Sequence, residues 1–151
     1  MTMAIRTMKV GEGAEIVAAG HLFDAPPDLA TAERFLVTPG HHLLMAYEDG
    51  LPAGFVSGVE LTHPDKGTEM FLYELAVDET FRRRGIGTAL VDELLGIARN
   101  RGCYDMWVLT DRDNDAALAT YRTTGTTDES SHVMLTWDLP EAAPGPTEAS
   151  E

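Results

Sequence analysis

The sequence predicts an α/β (α+β) fold, a mixed, mostly antiparallel twisted β-sheet that holds one parallel pair of strands and is flanked by helices. Three observations predict it. Glu69–Val77 is a strand-like run with Met70, Leu72 and Val77 among its apolar residues. The segment Ile86–Ala98 then carries Ile86, Leu90, Leu94 and Ile97 on one helical face. Met106–Leu109, a short apolar strand, follows it. These three make a β-α-β crossover, whose strands run parallel around a right-handed connection. Upstream, His42–Glu48 and Ala53–Leu61 flank the turn Asp49-Gly50-Leu51-Pro52 and read as a hairpin, which makes the sheet mixed.

The remaining elements follow in chain order. Ile5–Val10 reads as a first strand, and a helical pattern from Glu12 uses Ile16, Val17, Ala19 and Leu22. Residues 23–29 contain Pro26 and Pro27 and cannot continue a helix. Ala30–Leu36 reads as a second short helix ended by Thr38-Pro39-Gly40, and Thr62–Thr68 reads as a loop. Gly102 terminates the long helix, Ala116–Tyr121 is short and helical, and Val133–Leu139 reads as a closing strand. The expected organisation is one domain over residues 1–139 and a disordered tail over 140–151, where Pro, Ala, Gly, Glu and Ser dominate.

Composition narrows the function. Twenty-five acidic residues against 11 basic ones give a net charge of −14, a surface that repels nucleic acid and anionic membranes. The acid excess serves solubility or draws a cationic substrate into a cleft. A single cysteine, Cys103, excludes an internal disulfide and a multi-thiolate metal site. His41 and His42 are adjacent in a strand and point to opposite faces, and no other histidine stands in a ligand pattern. No metal, no nucleic acid partner and no membrane partner are expected. The N-terminus has neither a cleavage-like signal nor a long apolar run, so the expected location is cytoplasmic.

The most informative residues join the strand Glu69–Val77 to the long helix. Gly85 and Gly87 let backbone amides approach a bulky anion at the first turn of that helix, where unpaired N–H groups favour phosphate. Thr88 adds a hydroxyl, and Arg82, Arg83 and Arg84 bring three guanidinium groups into an acidic chain. A solvated strand–helix joint is the alternative. The pattern is not a dinucleotide fingerprint, because Leu90 stands where its third glycine belongs, and no Gly-Lys-Ser/Thr of a P-loop follows.

Arg82-Arg83-Arg84-Gly85-Ile86-Gly87 resembles the Q/R-x-x-G-x-G/A signature of the GNAT superfamily of N-acetyltransferases. Leu72–Val77 is similar to that family's cofactor-side strand, and Asn114 to Tyr121 resembles its N-x-x-A-x-x-x-Y element, with Ala117 at the alanine. Thr120 and Thr126 depart from the large apolar and aromatic residues usual there. Phe71–Val77, Arg82–Leu90 and the ending Val133 to Leu139 further resemble aminoglycoside 3-N-acetyltransferases of the gentamicin-resistance type. The resemblance implies a GNAT fold whose parallel strands splay apart, with acetyl-CoA as cofactor and a homodimer as the common assembly. It implies that backbone groups of Leu75, Ala76 and Val77 pair with the pantetheine arm, while residues 82–88 hold the pyrophosphate.

Acyl transfer to an amine needs a group to remove a proton and a group to protonate the departing thiolate. Glu74, an acid in an apolar strand beside the implied thioester site, is the candidate base, unless alternation merely places it on a solvated face. Tyr121 matches the family tyrosine near the sulfur and is the candidate acid, and packing on the sheet is its alternative. Asn114 either bonds the cofactor arm or caps its helix. A polycationic amine substrate calls for carboxylates, and Asp24, Asp28, Glu129 and Asp138 are the candidates, with Tyr73 beside Glu74. The expected reaction is acetylation of the 3-amino group of an aminoglycoside. Another small amine, a polyamine or a protein N-terminus, or a non-catalytic acetyl-CoA-binding module, are the alternatives.

Overall fold

Strand-forming residues pair here in the order in which they occur. In the computed structural model, which describes residues 2–140, β1 (Met3–Thr7), β2 (His41–Glu48), β3 (Leu51–His63), β4 (Gly67–Val77) and β5 (Asp105–Val108) form one sheet. Its spatial order is β1-β2-β3-β4-β5. The first four strands are antiparallel neighbours, and β4 and β5 run parallel. The mixed sheet read from the sequence is therefore present, with its parallel pair at the predicted crossover.

Four helices cover the sheet, α1 (Gly13–Ala18), α2 (Leu29–Val37), α3 (Ile86–Asn100) and α4 (Asp115–Thr123). Period-two alternation in the strands divides the apolar residues between two cores. Leu44, Ala46, Val56, Met70 and Leu72 pack against α3 and α4, while Leu43, Met45 and Phe55 pack against α1 and α2. Helix α3 contributes Ile86, Leu90, Val91, Leu94 and Ala98 to the first core. Each fully buried leucine there stabilises the fold by roughly 1.5–3 kcal/mol.

Several bounds differ from the sequence reading, and three of the differences bear on the sheet. β1 starts and ends earlier than Ile5–Val10, because its ladder with β2 runs from Met3↔Glu48 to Thr7↔Leu44. The expected loop 62–68 shrinks to a turn at 64–66, because Thr62 pairs with Thr68 and His63 with Gly67. Gly67, at φ 102°, supplies the left-handed residue that such a reversal needs.

The third difference is a correction. Val133–Leu139 forms no strand, and residues 126–139 adopt no regular element. A strand exists only where a neighbouring ladder accepts its backbone groups. Here Glu129 is held by Arg122 and Ser131 by Arg112, and the chain beyond them lies exposed in solvent. Of the expected tail over 140–151, everything after Pro140 lies outside the described residues.

β3 lies in tight contact with its neighbour at Gly54, where a Cβ would meet the Ala76 carbonyl oxygen at 2.8 Å and Ile86 Cγ2 at 3.3 Å. Gly54→Ala is expected to destabilise the protein by about 1–3 kcal/mol, because backbone cannot move aside as a side-chain tip can. Urea unfolding measures this, and an unchanged midpoint would show that the sheet relaxes freely there.

Candidate active site

The site begins with a one-residue irregularity in β4. Ser57 pairs with Glu74, but the next residue, Gly58, pairs with Leu72, so Tyr73 is an extra residue on β4. Such a bulge re-aims the side chains beyond it. Met70 and Leu72 point into the core under α3, and strict alternation would send Glu74 after them. With the bulge, Leu75 and Val77 pack toward α3 instead, and Ala76 packs toward the other core. Glu74 consequently lines a cavity of about 240 Å³ on the α1/α2 side.

That cavity has an apolar wall that includes Ile16, Phe23, Pro26, Pro27 and Phe35. Its polar groups are Glu74, Asp28, Thr31 and Ser57. Burial, and then the neighbouring charge of Asp24, push the Glu74 carboxyl above its usual range. Asp28 caps α2, accepting the Thr31 N–H at 2.9 Å, and that bond holds its own carboxyl low. Ser57 is only 3% exposed and its hydroxyl has no partner among the described residues. The sequence reading missed Ser57, although a serine inside the apolar run Ala53–Val59 was the available signal. The aromatic and proline wall was also missed.

The second part of the site lies along the other edge of β4. Its parallel pairing with β5 runs only from Glu69↔Asp105 to Leu72↔Val108. Beyond Leu72 the strands part, and the outer backbone groups of residues 73–77 have no strand neighbour. At the end of this edge, Arg82 Nε donates to the Val77 carbonyl at 3.1 Å, tying the loop back to the strand. The Arg84 guanidinium lies 5.3 Å from the Phe81 ring centre.

Gly85 takes φ 78°, a left-handed conformation, at the N-cap of α3, and Arg83, two residues earlier, is also left-handed at φ 66°. The capping residue has no side chain to satisfy the first amides of α3, so they stay available to an anion. A Cβ on Gly87 would stand at ordinary contact from Thr120 Cγ2, 3.5 Å, and Val77 Cγ2, 3.7 Å. Gly85, Gly87, the arginines and the free edge together fit a diphosphate carrying an extended arm.

Tyr121 of α4 is buried in the α3-side core, and burial pushes its phenol above the usual value. It lines a second cavity, of about 790 Å³, between α3, β5 and α4. Asn114 Oδ1 accepts the Ala117 N–H at 3.1 Å, so this side chain caps α4. Of the other candidates, Tyr73 is exposed at the bulge. Glu129 is bonded to Arg122 at 2.6 and 3.0 Å beside the second cavity, and Asp138 lies on the exposed segment. Neither borders the Glu74 cavity. Among the described residues no group of three or more His, Cys, Asp or Glu side chains could hold a metal ion, and no helix is long and apolar enough to cross a membrane.

Comparison with known proteins supplies a context for this geometry. The profile of the acetyltransferase (GNAT) family matches residues 14–125. The N-alpha-acetyltransferase RimI of Mycobacterium tuberculosis is 36% identical over 112 residues, 74% of this chain and 68% of that protein. The chain spans smaller shares, 39%, 55% and 24%, of other curated relatives. An aminoglycoside acetyltransferase, meta-AAC0020, from an uncultured soil metagenomic sample superposes with a TM-score of 0.85 at 22% identity, covering 91% of this chain and 97% of that one. A second from such a sample, HMB0005, gives 0.76 at 28% identity, covering 94% and 100%.

The like charge of Asp24 is one of the two causes that raise the Glu74 carboxyl. Asp24→Asn is therefore expected to lower the Glu74 pKa, with burial keeping it above an exposed glutamate. A carboxyl-carbon NMR titration reads this directly, and an unmoved midpoint would mean that solvent screens Asp24 completely.

Proposed function

This chain belongs to the acetyltransferase (GNAT) family, and we propose that it transfers the acetyl group of acetyl-CoA to a primary amine of a small polycationic molecule, an aminoglycoside first among them. The observation that carries this reading is the cavity with Glu74 at its base, Asp28 on its wall and Asp24 within electrostatic reach. No cationic side chain lines it. An ammonium group gains there from carboxylates in a partly desolvated setting, where each charge counts for more than in bulk water.

Acetyl-CoA supplies the activated acyl carbon. The first turn of α3, with Arg82, Arg83, Arg84 and Thr88, holds its diphosphate, and the free edge of Leu75, Ala76 and Val77 takes the arm as an extra strand. Asn114 reaches this arm only through the nitrogen of its amide, since its oxygen is spent on the cap. Glu74 removes the proton that keeps the acceptor amine from attacking, directly or through one water. Its raised pKa makes it a stronger base than an ordinary carboxylate. The unpartnered Ser57 hydroxyl, one strand away, offers the amine a second hydrogen bond. In this reading Tyr121, whose phenol burial pushes above its usual value, donates to the departing sulfur.

A second reading has its own support. The 36% identity to an N-alpha-acetyltransferase favours the N-terminal amine of a protein as acceptor. A thiol-release assay with gentamicin, spermidine and an alanine-initiated peptide separates the two. Turnover of gentamicin at least about tenfold above the peptide in kcat/KM, a difference of about 1.4 kcal/mol, is expected. The reverse preference would hand the site to protein N-termini.

Glu74→Gln is expected to lower kcat/KM by roughly 10²–10⁴-fold, the usual worth of a positioned base, while acetyl-CoA affinity stays within about twofold. Equal losses in cofactor binding and turnover would remove Glu74 from the base role. Gly87→Ala is expected to leave the melting temperature near that of the parent, since a Cβ there meets only ordinary contacts. Acetyl-CoA should bind it at least about tenfold more weakly by calorimetry, and undiminished affinity would move the diphosphate away from the α3 terminus.

A further inference from the structure

One wall of the Glu74 cavity hangs on a stretch with little regular structure. Phe23, Pro26, Pro27 and Asp28 line the cavity, and Asp24 acts on Glu74 through its charge. The two prolines keep this stretch out of a helix. Leu22 is buried in the α1/α2 core, and the Phe23 ring stacks on Phe55 with centres 4.2 Å apart. These apolar contacts hold the stretch down, but burial alone is non-directional. Among the described residues, the hydrogen bond and the ion pair that join residues 20–28 to the end of the sheet both belong to His21.

His21 lies in the 3₁₀ turn Gly20–Leu22, two residues before Phe23. Its Nε2 stands 3.3 Å from the Pro52 carbonyl oxygen and 3.2 Å from Asp78 Oδ2. A carbonyl only accepts, so Nε2 carries the proton and donates. Asp78 is anchored in turn. Its N–H donates to the Ala53 carbonyl at 2.8 Å, and its Oδ1 accepts the Thr80 N–H at 2.8 Å. The Thr80 backbone bond is the main reason that its carboxyl lies below the usual range, and the charges of His21 and Arg82 add to it. The turn that Oδ1 caps leads into Arg82, whose Nε donates to the Val77 carbonyl. One carboxylate therefore faces two ways, shaping the arginine loop with one oxygen and receiving His21 with the other.

We propose that His21 is a positioning residue for acetyl transfer, holding Phe23 and Asp24 in place beside Glu74 by anchoring their turn on Asp78 and Pro52. This rests on the acceptor and diphosphate placement of the proposed function. A directional bond at residue 21 fixes what apolar contacts at residues 22 and 23 leave free to slide. Without it Asp24 moves off, the like charge that helps raise the Glu74 carboxyl weakens, and the acceptor meets a displaced wall. His21 is half-exposed, and such a contact adds little to global stability, so its loss shows in the site. The same anchor sets the acceptor wall against the loop that carries the cofactor's diphosphate.

His21→Ala is expected to melt close to the parent and to lower the Glu74 midpoint in a carboxyl-carbon NMR titration, the direction expected for Asp24→Asn. The acceptor is whichever of gentamicin and the alanine-initiated peptide the parent turns over faster. Its KM should rise about three- to tenfold, the worth of one hydrogen bond, while kcat and acetyl-CoA affinity stay within about twofold. His21→Gln puts an amide N–H where Nε2 stands, without the ring's charge, and should restore both midpoint and KM. Asp78→Asn keeps an oxygen for Thr80 and turns an N–H toward His21. It should shift Glu74 as His21→Ala does, and the two changes together should do no more than one. An unmoved Glu74 midpoint in His21→Ala overturns the proposal, as does a Gln variant that behaves like the Ala one. A loss confined to acetyl-CoA affinity overturns it too. If His21→Ala fails to fold, Asp78→Asn gives the same two readings. The NMR reading needs no acceptor, so it stands apart from a failure of the acceptor assignment, which Glu74→Gln reports.

Discussion

Strand β4 has to satisfy more neighbours than a regular strand can. Its inner edge pairs with β3 for its whole length, while its outer edge pairs with β5 for only four residues before the two part. A central strand normally spends all its backbone groups on neighbouring strands. Here the groups beyond Leu72 are withheld, and the bulge at Tyr73 falls at the same point. The two irregularities are related. The extra residue turns Glu74 out of the α3-side core just where the sheet stops being continuous. Filling either one would close the site, by pairing the free edge or by burying an unpaired carboxylate among Met70 and Leu72, which costs several kcal/mol.

Around this strand the protein separates opposite charges. The chain is strongly acidic, yet Arg82, Arg83 and Arg84 stand together at the positive end of α3. On the other face of β4 the carboxylates of Glu74, Asp24 and Asp28 gather, with no arginine or lysine lining the cavity. Under the proposed function an anionic donor and a cationic acceptor approach from different sides, each attracted by its own end of the site. The sheet itself keeps the two fields apart. Gly85 makes the cationic end workable, because a left-handed N-cap exposes the α3 amides without a capping side chain competing for them.

How much of this could be read from the sequence depends on what each feature needs. Helix α3 and the crossover were legible because periodicity at Ile86, Leu90 and Leu94 is local information, and the glycines at 85 and 87 announce themselves. The bulge was not. The run Met70–Tyr73 is apolar or aromatic at every position and shows no alternation to break, and only the register against Ser57 and Gly58 on another strand shows the extra residue. The acceptor wall was hidden for a similar reason, since Phe23, Phe35 and Ser57 come together from three separated elements. Val133–Leu139 shows the converse limit. Its pattern is that of a strand, but strand formation depends on a partner edge, which composition does not report.

Fold likeness and cavity chemistry bear on the acceptor in different ways. Two solved structures that superpose with this chain are aminoglycoside acetyltransferases, and one curated relative is an N-alpha-acetyltransferase, so the scaffold alone does not choose between them. The lining does. A peptide backbone presents one ammonium followed by amide groups, which need hydrogen-bond partners, and this cavity offers few of them beside Ser57 and Thr31. An aminosugar presents several ammonium groups on a ring with apolar faces. The proline and phenylalanine walls suit those faces, and the three carboxylates are spread over Glu74, the capping Asp28 and the nearby Asp24. Asp28 is held by its bond to Thr31, whereas burial and the charge of Asp24 raise the affinity of Glu74 for a proton. Under the proposed function, division of labour among the acids, more than their number, suits the cleft to a polyamine with one reactive nitrogen.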